Sequence, residues 1–160
     1  RQYDTYFEFG PPDDYRLRYR EDDFIDEAGR LQNARTRLTL TGAGKEREFE
    51  NAILLSRSRF ISEATRPLRF YREYVQADAE RTIVKERRRW HIDYRGMRFY
   101  INLDELLEPA GDGYFLEIKS RTWSRRDAER EADAITGLLT VLGIKRENLI
   151  REEYFTLIEG

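Results

Sequence analysis

Charged side chains at every second position are the feature of this sequence that could do chemistry. The set comprises Arg16, Arg18 and Arg20, then Arg35 and Arg37, Glu46, Glu48 and Glu50, Lys85, Arg87 and Arg89, Asp104, and finally Glu117, Lys119 and Arg121. In an extended strand, residues at this spacing project from one face. Guanidinium and ammonium groups hold phosphate oxygens, and carboxylates hold hard cations. If these faces meet, the pattern predicts a site for a polyphosphate with a divalent metal ion.

The segments that carry these charges are predicted to be strands, mostly in hairpins. Strands are predicted over 2–9, 15–20, 34–42, 45–53, 80–96, 97–106 and 114–123, with turns at 10–14 and 42–44 and a polar connection over 21–33. We expect the strand over 45–53 to pair with the one over 34–42. The two strands that follow residue 80 are expected to form a hairpin that turns near Gly96.

Two regions have helical patterns. Residues 56–76 are predicted to form a helix in two pieces, because Pro67 breaks a helix and suits the first turn of a second one. The clearest helix covers 124–143, where Ser124 and Asp127 form a near capping box and Gly143 ends the helix. Its predicted buried stripe consists of Ala128, Ile135, Leu138, Leu139 and Leu142. The last segment, 152–160, has no clear pattern.

About seven to eight strands with two helical regions predict an α+β fold. One solvent-facing side of an antiparallel sheet is the ordinary explanation for rows of charge. Here, however, cations and carboxylates are segregated by strand, and arginine, which suits planar anion recognition, is used heavily. If the sheet closes into a barrel, the charged face becomes the lining of a tunnel, where like charges need a ligand to compensate them. The sequence therefore predicts an antiparallel β-barrel, or tunnel, with flanking helices.

Composition sets the broad class of protein. At 160 residues, positions 1–160 are most simply a single domain, and Lys+Arg 29 against Asp+Glu 31 gives a net charge of -2. Since bulk positive charge is absent, nucleic acid is not the favoured partner. The lack of cysteine and the single histidine, His91, exclude thiol chemistry and histidine metal clusters. With no apolar run long enough to span a membrane, we expect a cytoplasmic protein and no membrane partner, and a homodimer stays open.

Seven stretches, in order, resemble motifs of the CYTH superfamily, the triphosphate tunnel metalloenzymes. The family includes class IV adenylyl cyclases, thiamine triphosphatases and inorganic and RNA triphosphatases. The similar stretches are "QYDTYF", "YRLRYR", "RLTLTG", "KEREFE", "VKERRRW", "INLDEL" and "GYFLEIKS", and the closing "DAEREADAITGLLTVLGI" is similar to the family's final helix. Together they cover nearly the whole chain.

The resemblance implies an eight-stranded antiparallel tunnel that binds triphosphate-containing substrates with Mg²⁺ or Mn²⁺. The substrate-binding residues would be Arg16, Arg18, Arg37, Lys85, Arg87 and Lys119. The catalytic residues would be Glu48, Glu50 and Lys85. The metal ligands would be Glu117, Glu50 and Asp104. The implied activity is metal-dependent hydrolysis of inorganic, nucleoside or thiamine triphosphate.

The departures from the family pattern bear on the metal. The family's E-x-E-x-K strand is not found in these residues, and because the chain opens on Arg1 we expect it to be part of a longer translated product. Thr41 stands where a lysine is usual, and Lys119 replaces a second glutamate. A lysine among metal ligands weakens a cation site and could substitute for the charge of the metal.

Three functions stay open on these observations. The first is the triphosphatase, with an adenylyl cyclase as a less favoured enzyme. The second is a polyphosphate- or nucleotide-binding module that keeps the arginines but has lost turnover through Lys119. The third and weakest is an RNA-binding domain, which would bind with strong salt dependence and no preference for a triphosphate end.

Overall fold

A computed structural model of the chain describes residues 1–10, 15–42, 45–51, 53–56, 60–151 and 154–157, without the side chains of 45, 46, 56, 155 and 156. The strands are β1 (Gln2–Glu8), β2 (Tyr15–Ile25), β3 (Leu31–Gly42), β4 (Lys45–Glu48), β5 (Leu54–Ser56), β6 (Phe60–Glu63), β7 (Ala79–Tyr94), β8 (Met97–Glu108) and β9 (Phe115–Lys119). The helices are α1 (Leu68–Tyr74), α2 (Arg125–Val141) and α3 (Tyr154–Leu157), with a 3₁₀ turn at Arg146–Asn148. The predicted turn residues 11–14 and 43–44 lie outside the described residues.

Seven strands form a mostly antiparallel sheet in the order β6-β3-β2-β1-β7-β8-β9, and β4 pairs with β5 in a separate two-stranded sheet. The α+β class is therefore confirmed. The sheet does not close into a barrel within the described part of the chain, because β6 and β9 are its two edge strands. The reason lies at β4, which was expected to extend the sheet beside β3 but pairs with β5. The four-residue β6 takes that place.

Contacts divide the chain, which we expected to be a single domain, into two compact units. Unit 1 consists of residues 1–44, 57–87 and 105–113. Unit 2 consists of residues 45–56, 88–104 and 114–160. None of the described helices is both long and apolar enough to cross a membrane.

In unit 1, helix α1 covers one face of the strands. Phe7 and Tyr19 project from that face because they occupy alternate positions of β1 and β2, and they pack with Ala64 and Tyr71. The Tyr19 and Tyr71 rings lie 5.3 Å apart. Pro67 is the N-terminal cap residue of α1, one position before the first turn in which it was predicted. The opposite face of the same strands is polar, and most of it is nevertheless buried.

In unit 2, helix α2 packs on β8. Phe99 and Ile101 are buried against Ala134 and Leu138. The backbone N–H of Asp127 donates to Ser124 Oγ at 3.1 Å, which is the predicted N-terminal cap. At the other end Gly143 has a φ of 70° and follows the last turn, as predicted. The predicted stripe is only partly right, because Leu142 is 43% exposed while Glu131 and two small alanines, Ala132 and Ala134, are buried.

Three other predictions of elements were wrong. The polar connection over 21–33 is mostly strand, because β2 runs to Ile25 and Asp26 closes a tight turn by accepting from the backbone N–H of Ala28 and Arg30. The first helical piece after residue 56 contains β6, whose aromatic and β-branched residues suit a strand. The strand over 45–53 ends early, because Asn51 adopts a φ of 57° and reverses the chain into β5.

The hairpin of β7 and β8 is confirmed. Arg95 and Gly96 connect the two strands with φ values of 51° and 72°. Two consecutive positive φ values are the geometry of a type I′ turn, whose twist matches that of paired strands.

Candidate functional site

The polar face of unit 1 is the candidate functional site. It is defined by alternate residues of β1, β2, β3 and β7, which the strand registers bring side by side: Gln2, Asp4, Tyr6, Glu8, Arg16, Arg18, Arg20, Asp22, Arg35, Arg37, Thr39, Thr41, Arg81, Ile83 and Lys85. Glu63 of β6 lies opposite Arg37 at the edge of this face. The face thus holds more cations than carboxylates.

Asp4 and Arg20 form the central pair of the face. Arg20 donates from Nε and Nη2 to the two oxygens of Asp4, at 2.5 Å each. Asp4 is fully buried and Arg20 is 5% exposed. Burial alone would raise the pKa of Asp4, but the hydrogen bonds and charge of Arg20, with the charges of Arg18 and Lys85, lower it. Asp4 is therefore a carboxylate, and its charge is already used by Arg20.

Asp22 lies on the same face of β2, two residues after Arg20, and has its own hydrogen-bond partners. It accepts from Arg37 Nη2 at 2.6 Å and from Gln2 Nε2 at 2.6 Å. Arg35 approaches it at 3.5 Å. Burial acts to raise the pKa of Asp22, but the charges of Arg37 and Arg20 hold the pKa below its ordinary value. This carboxylate is also fully engaged.

Arg37 is partly buried on this face, near Arg35 and Arg20, with Asp22 as its carboxylate partner. Its pKa is lowered, first by burial and then by repulsion from Arg35 and Arg20, despite the attraction of Asp22. Its Nε–H is buried and has no hydrogen-bond partner. An added anion would relieve both conditions.

Arg18 lies two residues before Arg20 on β2, opposite Tyr6 of β1 and Thr39 of β3. Its Nε is 3.9 Å from Asp4 Oδ1, beyond hydrogen-bonding distance, and this buried Nε–H has no hydrogen-bond partner. Its Nη2 donates to Thr39 Oγ1 at 3.3 Å, and its guanidinium lies 5.9 Å from the centre of the Tyr6 ring. Burial, followed by the charge of Asp4, raises the pKa of the Tyr6 phenol, which therefore stays neutral. Arg18 is thus fixed in place with a donor unused.

Three further predicted substrate-binding residues belong to unit 1. Lys85 is 2% exposed and lies opposite Gln2 in the register of β1 and β7. Arg16 is half-buried opposite Thr41. Arg87, two residues beyond Lys85 on the same side of β7, is also half-buried. The structure therefore brings Arg16, Arg18, Arg37 and Lys85 onto one face, with Arg87 continuing the row.

The predicted residues of β8 and β9 form a separate polar cluster in unit 2. Lys119 Nζ lies 2.7 Å from Glu117 Oε1, and Asn102 Nδ2 donates to Glu117 Oε2 at 3.0 Å. Arg89 Nε donates to Asn102 Oδ1 at 2.7 Å. The register explains these contacts, since Asn102 is directly opposite Glu117. Both oxygens of Glu117 therefore already have donors.

The predicted metal ligands do not form a metal site in this arrangement. Asp104 is fully buried on β8. Glu48 and Glu50 are exposed, and Glu48 lies 3.4 Å from Arg151. Across the ranges that the structure describes, no three histidine or carboxylate side chains are placed to hold a metal ion. With Glu117 bound to an ammonium group, the donor set as it stands does not fit Mg²⁺ or Mn²⁺, which favour carboxylate and water oxygens.

Sequence reasoning missed the two carboxylates that organise the polar face. Asp4 and Asp22 were not among the candidate residues, although Gln2 and Asp4 alternate with Tyr3, Thr5 and Phe7 in "QYDTYF". That alternation signals a strand with one polar face. It cannot reveal which arginine each carboxylate meets, because those contacts depend on the registers of β1, β2 and β3.

Comparison with known proteins supports the fold and gives no information on the chemistry. No family model matches the chain, and no curated protein matches it. Among solved structures, that of the PH1819 protein from Pyrococcus horikoshii OT3 is similar, with a TM-score of 0.71 and 20% sequence identity. The match covers 99% of this chain and 82% of that one. At this identity the likeness shows the fold alone.

Proposed function

We propose that the polar face of unit 1 binds the phosphates of a triphosphate-containing molecule. The observation that carries the proposal is the pair of buried Nε–H groups on Arg18 and Arg37 that have no hydrogen-bond partner. A buried donor without an acceptor costs about 1–3 kcal/mol, more when it is charged. A phosphate oxygen is the acceptor that a guanidinium suits best.

The distribution of carboxylates on the face supports an external anion. Asp4 is used by Arg20 and Asp22 by Arg37, and Arg18 Nε lies 3.9 Å from Asp4 Oδ1, beyond hydrogen-bonding distance. The lowered pKa of Arg37 follows first from its burial, and a nearby anion would act in the opposite direction. A polyphosphate carries several negative charges along a short chain and would compensate several cations at once. A tunnel, as the resemblance implies, would be one way to enclose such a ligand, and the burial of Arg20 and Lys85 is consistent with enclosure.

Binding without turnover is the form of this function that the geometry supports best. Metal-dependent hydrolysis requires carboxylates that are open to a cation, whereas Glu117 is held by Lys119 and Asn102. Glu48 and Glu50 are exposed on a separate hairpin of unit 2. The cations of unit 1 can hold and orient phosphates without any of these groups.

A metal-dependent triphosphatase is the second candidate. The observation that favours it is the fully buried carboxylate of Asp104, on the same side of β8 as Asn102 and near Glu117 in the register. The ion pair of Lys119 with Glu117 would have to open before these two carboxylates could serve a cation. This candidate therefore predicts phosphate release in the presence of Mg²⁺ or Mn²⁺.

Calorimetric titration with tripolyphosphate tests the proposal. Arg18→Gln should weaken binding by about tenfold or more, since a hydrogen bond to a charged group is worth about 1.5–3 kcal/mol. Arg69→Gln is the matched control, because Arg69 is also an arginine of unit 1 but its side chain is 87% exposed and pairs with Glu73. Equal affinities for the two variants would contradict the proposal.

The same samples separate the two candidates when released phosphate is measured with Mg²⁺ or Mn²⁺. Binding without release supports the binding module. Release that Glu117→Gln abolishes supports the triphosphatase. Binding of RNA that depends on salt and ignores the triphosphate end would instead favour the RNA-binding alternative.

A further inference from the structure

A polar pocket lies in unit 2, beside the first turns of α2. It has a volume of about 310 Å³ and is lined by residues of the β7–β8 turn, the start of β8, the segment after β9, and α2. Ligand pockets of small molecules begin at about this size. The residues that matter for the argument are Glu131 on α2, Trp123 and Arg121 after β9, and Tyr100 and Arg98 on β8.

Glu131 is the unexpected member of this pocket. It is 9% exposed, and its buried Oε2 has no hydrogen-bond partner. A buried carboxylate oxygen without a donor is costly, so such an oxygen is rare in a purely structural position. Ala132 and Ala134, further along the same helix, are buried, which shows that small apolar residues fit this side of α2. Glu131 therefore serves something other than packing.

Trp123 is the second unexplained residue. Trp123 is 87% exposed, which is unusual for a tryptophan. It lines the same pocket as Glu131. An exposed indole offers a flat surface on which a planar ring can stack.

The charges around the pocket limit the ligand. Arg98 has its own carboxylate neighbour in Asp93, at 3.1 Å, and Arg130 has one in Asp127, at 3.6 Å. Arg121 is exposed on the rim. Three guanidinium groups at the rim disfavour a cationic ligand, although Glu131 needs a donor. The ligand that satisfies both conditions has a neutral, planar group with N–H donors and an anionic group attached to it.

We propose that this pocket binds a guanine mononucleotide. The N1–H and the N2 amino group of guanine lie side by side and match the two oxygens of one carboxylate, here Glu131. The base would stack on Trp123, and the phosphate would lie against Arg121. Adenine presents an N–H donor beside a ring nitrogen acceptor at its pairing edge, so it would meet Glu131 with one donor and one repulsive contact. The pocket thus favours guanine over adenine.

Fluorescence provides the first test. The chain has two tryptophans, and in a Trp90→Phe variant only Trp123 emits. Guanosine monophosphate should quench this emission in a saturable way, with half-saturation below about 1 mM. Adenosine monophosphate should require a concentration about tenfold higher or more for the same quenching. Free guanosine should also quench, but more weakly, because it lacks the group that Arg121 would hold. Absence of saturable quenching by guanosine monophosphate would overturn the proposal.

Two substitutions in the otherwise unchanged chain assign the binding to these residues. Calorimetry should show that Glu131→Gln and Trp123→Ala each weaken the binding of guanosine monophosphate by about tenfold or more. A loss of this size is in line with the energy of one stacked base. Glu131→Gln should also raise Tm, because a neutral amide is less costly than an unpartnered carboxylate in a buried position. A lowered Tm with unchanged nucleotide affinity would show a structural role for Glu131 and contradict the proposal.

The pocket shares no residue with the polar face of unit 1. Arg18→Gln is expected to weaken the binding of tripolyphosphate, and it should leave the affinity for guanosine monophosphate unchanged. If Arg18→Gln weakens the binding of the nucleotide and Trp123→Ala does not, the nucleotide binds at the polar face of unit 1 and the assignment to this pocket is wrong.

Discussion

Asp4 and Arg20 meet across β1 and β2 in a two-point ion pair that is almost fully removed from solvent. The pair uses both oxygens of Asp4. Arg18, two residues before Arg20 on the same face, is left 3.9 Å from that carboxylate with an unused Nε–H. The unequal sharing of carboxylates among neighbouring arginines is the basis of the proposed phosphate binding.

The first prediction concerns the stability that the Asp4 pair provides. Asp4→Asn leaves the Arg20 guanidinium buried without its counter-charge, and breaking a buried pair in this way costs about 3–5 kcal/mol in the free energy of unfolding. Urea denaturation followed by circular dichroism measures the change. The matched control is Asp93→Asn, whose partner Arg98 is an exposed arginine, and an exposed pair is worth less than about 1 kcal/mol. Equal effects of the two substitutions would contradict the prediction.

The second prediction is acid sensitivity. The pKa values of Asp4 and Asp22 are lowered in the folded protein, despite burial, by the arginines that face them. A carboxyl group whose pKa is lowered by folding stabilises the protein above its unfolded pKa, which is about 3.9 for aspartate. That contribution is lost as the pH falls through the folded-state pKa. Tm should therefore fall steeply below about pH 4.

Asp22→Asn identifies the source of this acid sensitivity. The variant should be less stable than the parent at neutral pH and should lose less Tm between neutral pH and acid. A parallel loss of Tm in the parent and the variant would show that Asp22 does not contribute to the acid response.

The elements that sequence predicts well are those defined by local signals. The cap at Ser124, the end of α2 at Gly143 and the turn at Arg95 and Gly96 are each read from a few adjacent residues. The pairing of β3 with β6 is not local, because β6 is four residues long and lies inside a segment whose overall pattern favours a helix, so its own strand-forming residues do not reveal its partner. The same reason explains the candidate site, where the rows of arginine were visible but their pairing with Asp4 and Asp22 required strand register.

The third prediction concerns Lys119 and divalent cations. Lys119→Ala removes the ammonium group from Glu117 Oε1, so that a cation could approach this oxygen without charge repulsion from Lys119. Mg²⁺ should then raise Tm of the variant by about 2 °C or more, while the parent should show a smaller response. Lys145→Ala is the control, since Lys145 is an exposed lysine of unit 2 whose partner is Glu147. Identical Mg²⁺ responses of all three proteins would show that Lys119 does not block a cation site.

The fourth prediction tests the cap of α2. Ser124→Ala removes the oxygen that accepts from the backbone N–H of Asp127 and should cost about 1 kcal/mol in the free energy of unfolding. Ser124→Asp should retain most of the stability, because aspartate is also a good N-terminal cap. Urea denaturation of the two variants measures the difference, and equal stabilities would contradict the assigned cap.

The most direct test of phosphate binding observes the two unused donors themselves. Arginine Nε–H signals can be recorded by ¹H–¹⁵N NMR and assigned by substituting Arg18 and Arg37 one at a time with lysine. Tripolyphosphate should shift the Nε–H signals of Arg18 and Arg37 in a saturable way and leave the exposed Arg69 unchanged. If tripolyphosphate binds while neither of these two signals moves, the polar face of unit 1 is not the phosphate site.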